Sequence, residues 1–287
     1  MNRLIIIGGP TASGKTSLSI EMAKEVDGEI ICGDSMQIYQ HMQIGTAAPT
    51  IEEQDDVPHH LFSLISPLIN FSVAEYVKLS NFTISDIIKR GKTPILVGGT
   101  GLYLDSIANN IDFSSESSND NIFSELNTKT NEELFESLKT IDPPMANVIK
   151  LGDRRRLIRA LEIFHTTGKT KTEYDKQAKN NRIYDVEYYA IDFPREKLYE
   201  RINKRVDLMI RAGLVSEVKN LIKIGVTSSM TASQGIGYKE LIPYLNGEIT
   251  LDKTISAIKQ ASRRYAKRQL TWFRRNEEIT WLKGEEK

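Results

Sequence analysis

The sequence predicts an α/β fold: a parallel β-sheet with helices on its faces, interrupted by a small helical insertion. Three observations lead to this prediction. Short, apolar, β-branched segments alternate with segments of helical spacing, glycine ends the strand-like segments, and a polar, Ser-rich stretch precedes a region without strong strands. A chain of 287 residues, 40% of them hydrophobic, can form one large domain or two small ones around a sizeable core.

The first part of the chain carries the alternation of strands and helices. Arg3–Gly8 is predicted to be a buried strand, a helix follows at about Gly14–Val26, and Glu29–Gly33 is the second strand. Ser72–Arg90 has apolar residues at helical spacing, and Thr93–Gly98 is another apolar strand. Because ligands of such sheets bind beyond the carboxyl ends of the strands, we expect functional residues directly after these strands.

The rest of the chain is more helical. Asp112–Asn121 is predicted to be a linker, and Ile122–Leu138 and Arg154–Thr166 are predicted helices. Strand character returns at Tyr184–Phe193, and helices dominate from Arg195 to Arg275. These changes predict a core formed by residues 1–112, a helical insertion domain of residues 113–183 and a mostly helical continuation of the core over residues 184–287.

A glycine-rich loop joins the first strand to the first helix and matches the pattern G-x-x-x-x-G-K-[ST]. Its residues are Gly9, Pro10, Thr11, Ala12, Ser13, Gly14, Lys15 and Thr16. Backbone N–H groups and the helix N-terminus favour an anion, Lys15 adds a full positive charge, and the Thr16 hydroxyl is placed to ligate Mg²⁺. The sequence therefore predicts a P-loop core that binds a polyphosphate.

The acid that holds the metal in many P-loop NTPases is absent from its expected place. The apolar strand Ile95–Val97 is followed by Gly98 and Gly99 rather than by an aspartate, and the chain has no Asn-Lys-x-Asp motif for guanine. Hydrolysis of a nucleotide is therefore disfavoured.

Asp34 is the second candidate for chemistry. It follows the second strand at the same edge of the sheet as the P-loop. A carboxylate there can ligate a metal or accept a proton, but an aspartate before a short helix is also a common helix cap. The residues alone favour neither interpretation.

The charges are unevenly distributed along the chain. The 38 basic and 38 acidic residues cancel, which by itself argues against a nucleic-acid partner. Eight bases and no acid lie between Lys253 and Asn276, with aromatic residues among them, and further basic clusters lie at Lys150–Arg159 and Arg201–Arg205. A charge run is usually a solvated face, but eight bases without an acid over 24 residues favour an RNA partner, because basic helices with aromatics suit an RNA backbone and its bases.

Eight segments carry a family resemblance, in family order and over nearly the whole chain: GPTASGKT (9–16), GDSMQIYQHMQIGTAAP (33–49), VPHHLF (57–62), VGGTGLYLDSI (97–107), RRLIRALEI (155–163), RINKRV with the following MI, GL and EV (201–218), QGIGYKE (234–240) and RRYAKRQLTWFRR (263–275). On these segments the chain resembles the bacterial tRNA dimethylallyltransferases of the IPP transferase family. The zinc finger of the eukaryotic relatives is not expected here.

The resemblance implies a reaction and assigns residues to it. A dimethylallyl group would move from dimethylallyl diphosphate to the exocyclic amine of the adenosine 3′-adjacent to the anticodon, with the tRNA anticodon stem-loop as partner and Mg²⁺ as cofactor. Asp34 matches the general base, the P-loop with Thr16 matches the diphosphate site, and Arg205 matches the arginine on the leaving group. Positions matching tRNA contacts are Asp34, Ser35, Met36, Gln37, Thr100, Arg155, Arg156, Leu157, Ile158, Arg159, Gly235, Ile236, Gly237, Tyr238, Lys239 and Glu240.

Other functions remain open at the level of the residues. The chain could prenylate free adenine nucleotides, act as a P-loop nucleoside or small-molecule kinase, or bind RNA without catalysis. The basic clusters favour a polynucleotide over a free nucleotide. The P-loop beside Asp34 argues against a pure binding module, because binding alone needs neither.

The remaining features predict the cellular location and oligomeric state of the protein. The single cysteine, Cys32, excludes a disulfide framework and is expected to be a buried small hydrophobe in a reducing cytoplasm. No apolar run near the start reaches the roughly 20 residues of a membrane span, and no signal peptide is recognised. We expect a cytoplasmic monomer without membrane association. His59 and His60 are adjacent, so they point apart on a strand and are expected to be structural.

Overall fold

A computed structural model describes residues 1–111, 120–179 and 182–284. In this part of the chain six strands form one sheet, ordered β3-β2-β4-β1-β5-β6, and every neighbouring pair is parallel. The strands are β1 (Asn2–Gly8), β2 (Gly28–Cys32), β3 (His59–His60), β4 (Thr93–Val97), β5 (Tyr184–Asp192) and β6 (Thr280–Lys283). The predicted parallel-sheet α/β fold is confirmed.

The helices of the described residues are α1 (Lys15–Val26), α2 (Gln43–Thr46), α3 (Ile51–Gln54), α4 (Val73–Lys89), α5 (Gly101–Ala108), α6 (Asp120–Thr128), α7 (Asn131–Ile141), α8 (Pro143–Ala146), α9 (Arg154–Thr167), α10 (Lys171–Lys179), α11 (Arg195–Arg211), α12 (Leu214–Lys223), α13 (Tyr238–Leu245) and α14 (Leu251–Phe273). None of these helices is long and apolar enough to cross a membrane.

The position of the central strand β1 indicates where a ligand site is expected in this sheet. Its residues Leu4–Ile7 are fully buried, because helices cover both faces of a parallel sheet. Ile5 pairs with Ile95 of β4 on one side and with Glu187 of β5 on the other. The chain reverses its direction of winding across β1, and the crevice at the carboxyl end of such a strand is the usual ligand site of an open α/β sheet.

The chain divides into two compact units. The first contains Met1–Ala108 and Tyr184–Lys287 with the whole sheet, and the second is Asn109–Ile183 with helices α6–α10. The second unit has a leucine-rich core of its own, in which Leu134, Leu138 and Leu157 are almost completely buried.

Two features differ from the sequence-based expectations. The single helix predicted over Ile122–Leu138 is wrong, because the chain breaks between α6 and α7. Thr130 starts the new helix with a capping box: its hydroxyl accepts from the Glu133 N–H, and the Glu133 carboxylate accepts from the Thr130 N–H. Strands β3 and β6 were not predicted, since two and four residues are too short for a periodic pattern. The linker predicted at Asp112–Asn121 lies outside the described residues except for its last two, which begin α6.

Candidate active site

A cleft of about 680 Å³ lies in the first unit, at the carboxyl ends of β1, β2 and β4. It is lined by the P-loop from Thr11 to Thr16, by Asp34–Gln37 after β2, by side chains of α11 and α14, and by part of the segment Gln234–Lys239. The fold thus brings together the P-loop, Asp34 and Arg205, which are far apart in the sequence.

The P-loop is shaped to hold an anion. Lys15 donates a hydrogen bond from Nζ to the Pro10 carbonyl at 2.7 Å, so its side chain folds back over the loop. Ser13 is 2% exposed, and its hydroxyl has no hydrogen-bond partner among the described residues. A buried hydroxyl without a partner is costly unless a ligand satisfies it. Gly14 has a φ of 90°, which glycine adopts at little steric cost.

Arg201 stabilises a strained residue of the same loop. Ala12 has a φ of 63°, in the left-handed region that costs a residue with a Cβ roughly 1–2 kcal/mol. The Arg201 Nε donates to the Ala12 carbonyl at 2.8 Å, and the guanidinium carbon lies 4.9 Å from the centre of the Phe193 ring. Sequence reasoning placed Arg201 only in a basic cluster and missed this contact, because nothing in its spacing signals it.

Two desolvated cations flank the loop. The Arg205 Nη2 donates to the Thr46 carbonyl at 3.0 Å, while its buried Nε has no hydrogen-bond partner among the described residues. Burial lowers the pKa of Lys15 from 10.5 to about 8; the nearby Arg205 charge also lowers it, and Asp34 opposes the shift. Burial likewise lowers the pKa of Arg205, against the attraction of Asp34. Asp34 is the carboxylate that acts on both cations, so the P-loop side of the cleft favours an anionic ligand.

Asp34 combines both interpretations of its role. Its Oδ1 accepts from the Met36 N–H at 2.9 Å and thereby caps the turn after β2. Its Oδ2 accepts no hydrogen bond from the described residues, so it is available in the cleft for a proton or a cation. The turn is fixed further by Thr100, whose hydroxyl oxygen accepts from the Ser35 N–H at 3.0 Å.

Gly98 explains why the expected acid after Val97 is missing. A Cβ added at Gly98 would lie 2.0 Å from the carbonyl oxygen of Gly33, so the backbones of the two turns approach too closely for any side chain. The P-loop of this chain therefore works without the carboxylate that NTPases carry at this edge.

Gln269 was not predicted as a site residue. It projects from α14 and is 5% exposed. Its Oε1 accepts from the Thr11 N–H, and its Nε2 donates to the Gly99 carbonyl, each at 2.9 Å. The only signal in the sequence was its position within the segment RRYAKRQLTWFRR, where the neighbouring bases attracted attention.

Glu217 was also missed. This buried carboxylate accepts hydrogen bonds from the Ile44 and Gly45 N–H groups at the start of α2 and from the Tyr238 hydroxyl. Thr46, whose carbonyl accepts the hydrogen bond from Arg205, is the last residue of α2. Glu217 and Tyr238 therefore fix the position of the helix to which Arg205 is hydrogen-bonded.

The proposed tRNA contacts fall into different environments. In the first unit, Ser35, Met36, Gln37, Gly235, Ile236 and Lys239 line the cleft. Tyr238 is buried and bonds inward to the Met42 carbonyl as well as to Glu217. In the second unit, Arg155 and Arg156 are exposed, whereas the side chains of Leu157 and Ile158 belong to the leucine-rich core and so are not available at the surface.

The basic helix α14 has partnered and unpartnered bases. Lys259 pairs with Asp207, and the Arg263 guanidinium donates to Asn203. By contrast, Arg264, Lys267 and Arg268 are exposed, and no ion pair to an acid is found for them among the described residues; Arg268 lies 5.6 Å over the Tyr265 ring centre.

The histidines and the cysteine have structural contacts. His60 Nε2 lies 2.7 Å from a Glu29 carboxylate oxygen that also receives Arg90, and His59 Nδ1 lies 2.8 Å from the Val57 carbonyl. No cluster of three or more His, Cys, Asp or Glu side chains suitable for a metal occurs in the described part of the chain. Cys32 is buried as expected, and burial raises the pKa of its thiol.

The site has counterparts in known proteins. The family model described as IPP transferase matches residues 37–276, and one described as isopentenyl transferase matches residues 2–61. The chain belongs to the IPP transferase family. A tRNA dimethylallyltransferase of Anoxybacillus flavithermus is 50% identical over 280 residues, covering 98% of this chain and 90% of the relative.

Solved structures of the family have the same fold. The full-length tRNA isopentenylpyrophosphate transferase of Bacillus halodurans is 41% identical and superposes with a TM-score of 0.75, covering 99% of this chain and 90% of that one. A eukaryotic dimethylallyltransferase acting on tRNA is 30% identical and superposes with a TM-score of 0.87, covering 100% of this chain and 75% of that one. The P-loop core of this IPP transferase family member is thus an established architecture.

Proposed function

We propose that the protein transfers a dimethylallyl group from dimethylallyl diphosphate to the exocyclic amine of the adenosine 3′-adjacent to the anticodon in a tRNA, releasing diphosphate. The observation that carries the proposal is the combination, in one cleft, of a P-loop with two desolvated cations and a carboxylate with one unbonded oxygen. The family membership supports it, since the curated relative named above is a tRNA dimethylallyltransferase.

The first half of the reaction is stabilisation of the leaving group. As the allylic C–O bond breaks, its electron pair leaves with the diphosphate and negative charge accumulates there. Hydrogen bonds to the Pro10 and Thr46 carbonyls hold the Lys15 and Arg205 side chains at the cleft, so two positive charges are in place to stabilise this negative charge. No water has to be directed at a phosphorus atom, which agrees with the missing acid at Gly98.

The second half is formation of the C–N bond and loss of a proton. The adenine amine attacks the allylic carbon, and its N–H proton becomes acidic as the new bond forms. Asp34 takes this proton on Oδ2, because Oδ1 is already bonded to the Met36 N–H. Since the allylic carbon is cationic in character, the cleft must also exclude competing water.

Magnesium is the cofactor we propose. Thr16 lines the cleft beside Lys15, and Mg²⁺ is commonly bound by one protein hydroxyl or carboxylate together with substrate phosphate oxygens and water. The hydroxyl oxygen of Thr16 fits this pattern, whereas a site built from protein groups alone would need more ligands. Bound there, the ion would neutralise charge on the diphosphate.

The partner and setting follow from the same proposal. The exposed bases of α14 and of Arg155 and Arg156 suit the phosphates of an anticodon stem-loop. We also propose that the protein works as a cytoplasmic monomer, which light scattering at working concentration and cell fractionation would test.

The function is tested by incubating the protein with labelled dimethylallyl diphosphate and tRNA. In separate control reactions tRNA is replaced by AMP, or by ATP and a nucleoside. We expect label only in tRNA.

The role of Asp34 is tested by substitution. Asp34→Asn keeps an oxygen for the Met36 N–H but loses the base, so turnover falls by about 10²–10⁴-fold while pyrophosphate binding is retained. Asp56→Asn, at an exposed acid, is the matched control. Turnover of the Asp34→Asn enzyme within tenfold of wild type contradicts the assignment.

A further inference from the structure

A buried amide connects the P-loop to the turn beside Asp34. Gln269 contacts Thr11 in the loop and Gly99 in the turn that follows β4. We propose that Gln269 is a positioning residue that sets the geometry between the diphosphate site and the proton acceptor. The inference rests on the proposed function, because it assigns Gln269 a part in the same reaction.

The chemistry of the two partners requires a side chain that both accepts and donates a hydrogen bond. The Thr11 N–H is a donor and the Gly99 carbonyl is an acceptor, so the bridging group must accept at one end and donate at the other. A primary amide does both, whereas a carboxylate offers only acceptors and a hydrocarbon offers neither. Because the site is buried, a lost partner is not replaced freely by water.

The two hydrogen bonds of Gln269, here called the bridge, also determine which loop amides are free to face an anion. The Thr11 N–H is used by Gln269 and so is not free for a phosphate oxygen. The next residue, Ala12, is the strained one held by Arg201. Gln269 and Arg201 thus fix two consecutive residues at the tip of the loop, from α14 and α11 respectively.

At the other end, Gln269 lies close to the proton acceptor. A Cβ added at Gly99 would be 2.2 Å from the Gln269 Nε2 and 3.4 Å from the Asp34 Oδ2, so the amide and the carboxylate meet around one glycine. The next residue, Thr100, bonds to Ser35 and thereby fixes the Asp34 turn. Displacing the Gly99 carbonyl therefore displaces the surroundings of Asp34.

Helix α14 is also anchored to α5, the helix that follows this turn, which supports the position of Gln269. The Trp272 Nε1 donates to an Asp105 carboxylate oxygen at 2.7 Å, and a Cβ added at Gly101 would lie 2.2 Å from Trp272 Cδ1. The same helix exposes Lys267 and Arg268. The helix that carries these bases is therefore joined directly to the P-loop and to the turn after β4.

Two variants test the role. Gln269→Glu keeps the size and the acceptor for Thr11 but places an acceptor against the Gly99 carbonyl; Gln269→Met keeps the size and loses both bonds. Gln260→Glu, at an exposed position of α14, adds the same charge to the same helix and is the control. The measurements are prenyl transfer to tRNA, calorimetric binding of inorganic pyrophosphate with Mg²⁺ in the absence of tRNA, and thermal unfolding.

We expect kcat to fall by about 10- to 100-fold in both Gln269 variants, and pyrophosphate affinity to fall by about tenfold, from the loss of buried hydrogen bonds. The KM for tRNA should change no more than it does in Gln260→Glu, in which pyrophosphate affinity stays at the wild-type value. A residue that is only structural would lower the unfolding temperature without this separation of kcat from the KM for tRNA.

Several outcomes overturn the inference. Wild-type kcat and pyrophosphate affinity in Gln269→Glu contradict it. Equal losses of kcat and pyrophosphate affinity in Gln260→Glu and Gln269→Glu also contradict it. Should Gln269→Met fail to fold, Gln269→Glu decides alone, because it preserves the Thr11 contact and the side-chain volume. If the wild-type protein binds pyrophosphate but prenylates no tRNA, the proposed function fails, while the pyrophosphate comparison still tests the bridge.

Discussion

The Tyr238 hydroxyl donates a hydrogen bond to the buried Glu217 carboxylate at 2.8 Å. The two oxygens of Glu217 also accept the Ile44 and Gly45 N–H groups, so this carboxylate caps a short helix of a different part of the chain. The far end of that helix provides the carbonyl of Thr46 for Arg205. A carboxylate outside the proposed reaction therefore helps to position Arg205, to which we assign the leaving group.

Replacing Glu217 by Gln should weaken both folding and substrate binding. One oxygen becomes an NH₂ group that faces a donor, which costs about 1–3 kcal/mol of unfolding free energy. Because α2 then shifts, the KM for dimethylallyl diphosphate should rise more than kcat falls. Urea unfolding and steady-state kinetics measure the two effects, with the exposed Glu277→Gln as control. An unchanged KM in a destabilised variant would limit Glu217 to a folding role.

Arg201→Met should lower pyrophosphate affinity by about tenfold, because the strained Ala12 loses the guanidinium that holds its carbonyl. The strain offers a specific suppressor. Ala12→Gly removes the steric cost of the left-handed conformation, so the double variant should recover part of the lost affinity. Calorimetry on the two single variants and the double variant measures this coupling, and purely additive losses would contradict it.

The lowered pKa of Lys15 predicts a pH dependence. In the proposed reaction the ammonium form of Lys15 binds the diphosphate, and burial lowers its pKa from 10.5 to about 8. The kcat/KM for dimethylallyl diphosphate should therefore fall as the pH rises through about 8. In the complex the anion stabilises the ammonium, so kcat should fall only at higher pH. A kcat/KM that stays level to pH 9.5 would contradict the desolvated ammonium.

Neighbouring arginines of the second unit should respond differently to the same substitution. Arg154 donates to the backbone carbonyls of Lys129 and Asn127, so Arg154→Ala should destabilise this unit. Arg155 is exposed, so Arg155→Ala should leave stability unchanged and reduce the slope of log K for tRNA against log salt by about 0.7–0.9. Salt-dependent binding assays and thermal unfolding of both variants distinguish the two roles. Equal slopes for wild type and Arg155→Ala would exclude a phosphate contact.

Local patterns were sufficient for the architecture. Apolar β-branched runs ended by glycine indicated strands β1, β2 and β4, and the strand character of Tyr184–Phe193 indicated β5. The spacing of the P-loop motif indicated the anion site, because such patterns depend on neighbours in the chain. The break between α6 and α7 was missed even though its capping box is local, since apolar periodicity continued across it. The short strands β3 and β6 show no hydrophobic periodicity in the sequence, and they are recognised only by their pairing in the sheet.

The sequence by itself determined the P-loop, the parallel sheet, the position of Asp34 at its edge and the segregation of charge that a net charge of zero conceals. Only the tertiary structure decided which side chains support that site. Gln269 lies 258 residues from Thr11 along the chain, and Arg201 lies 189 residues from Ala12. Hydrogen bonds across such separations depend on how α11 and α14 pack against the sheet, and no spacing in the sequence records them. The missing acid at Gly98 is likewise explained only by the approach of the Gly33 backbone.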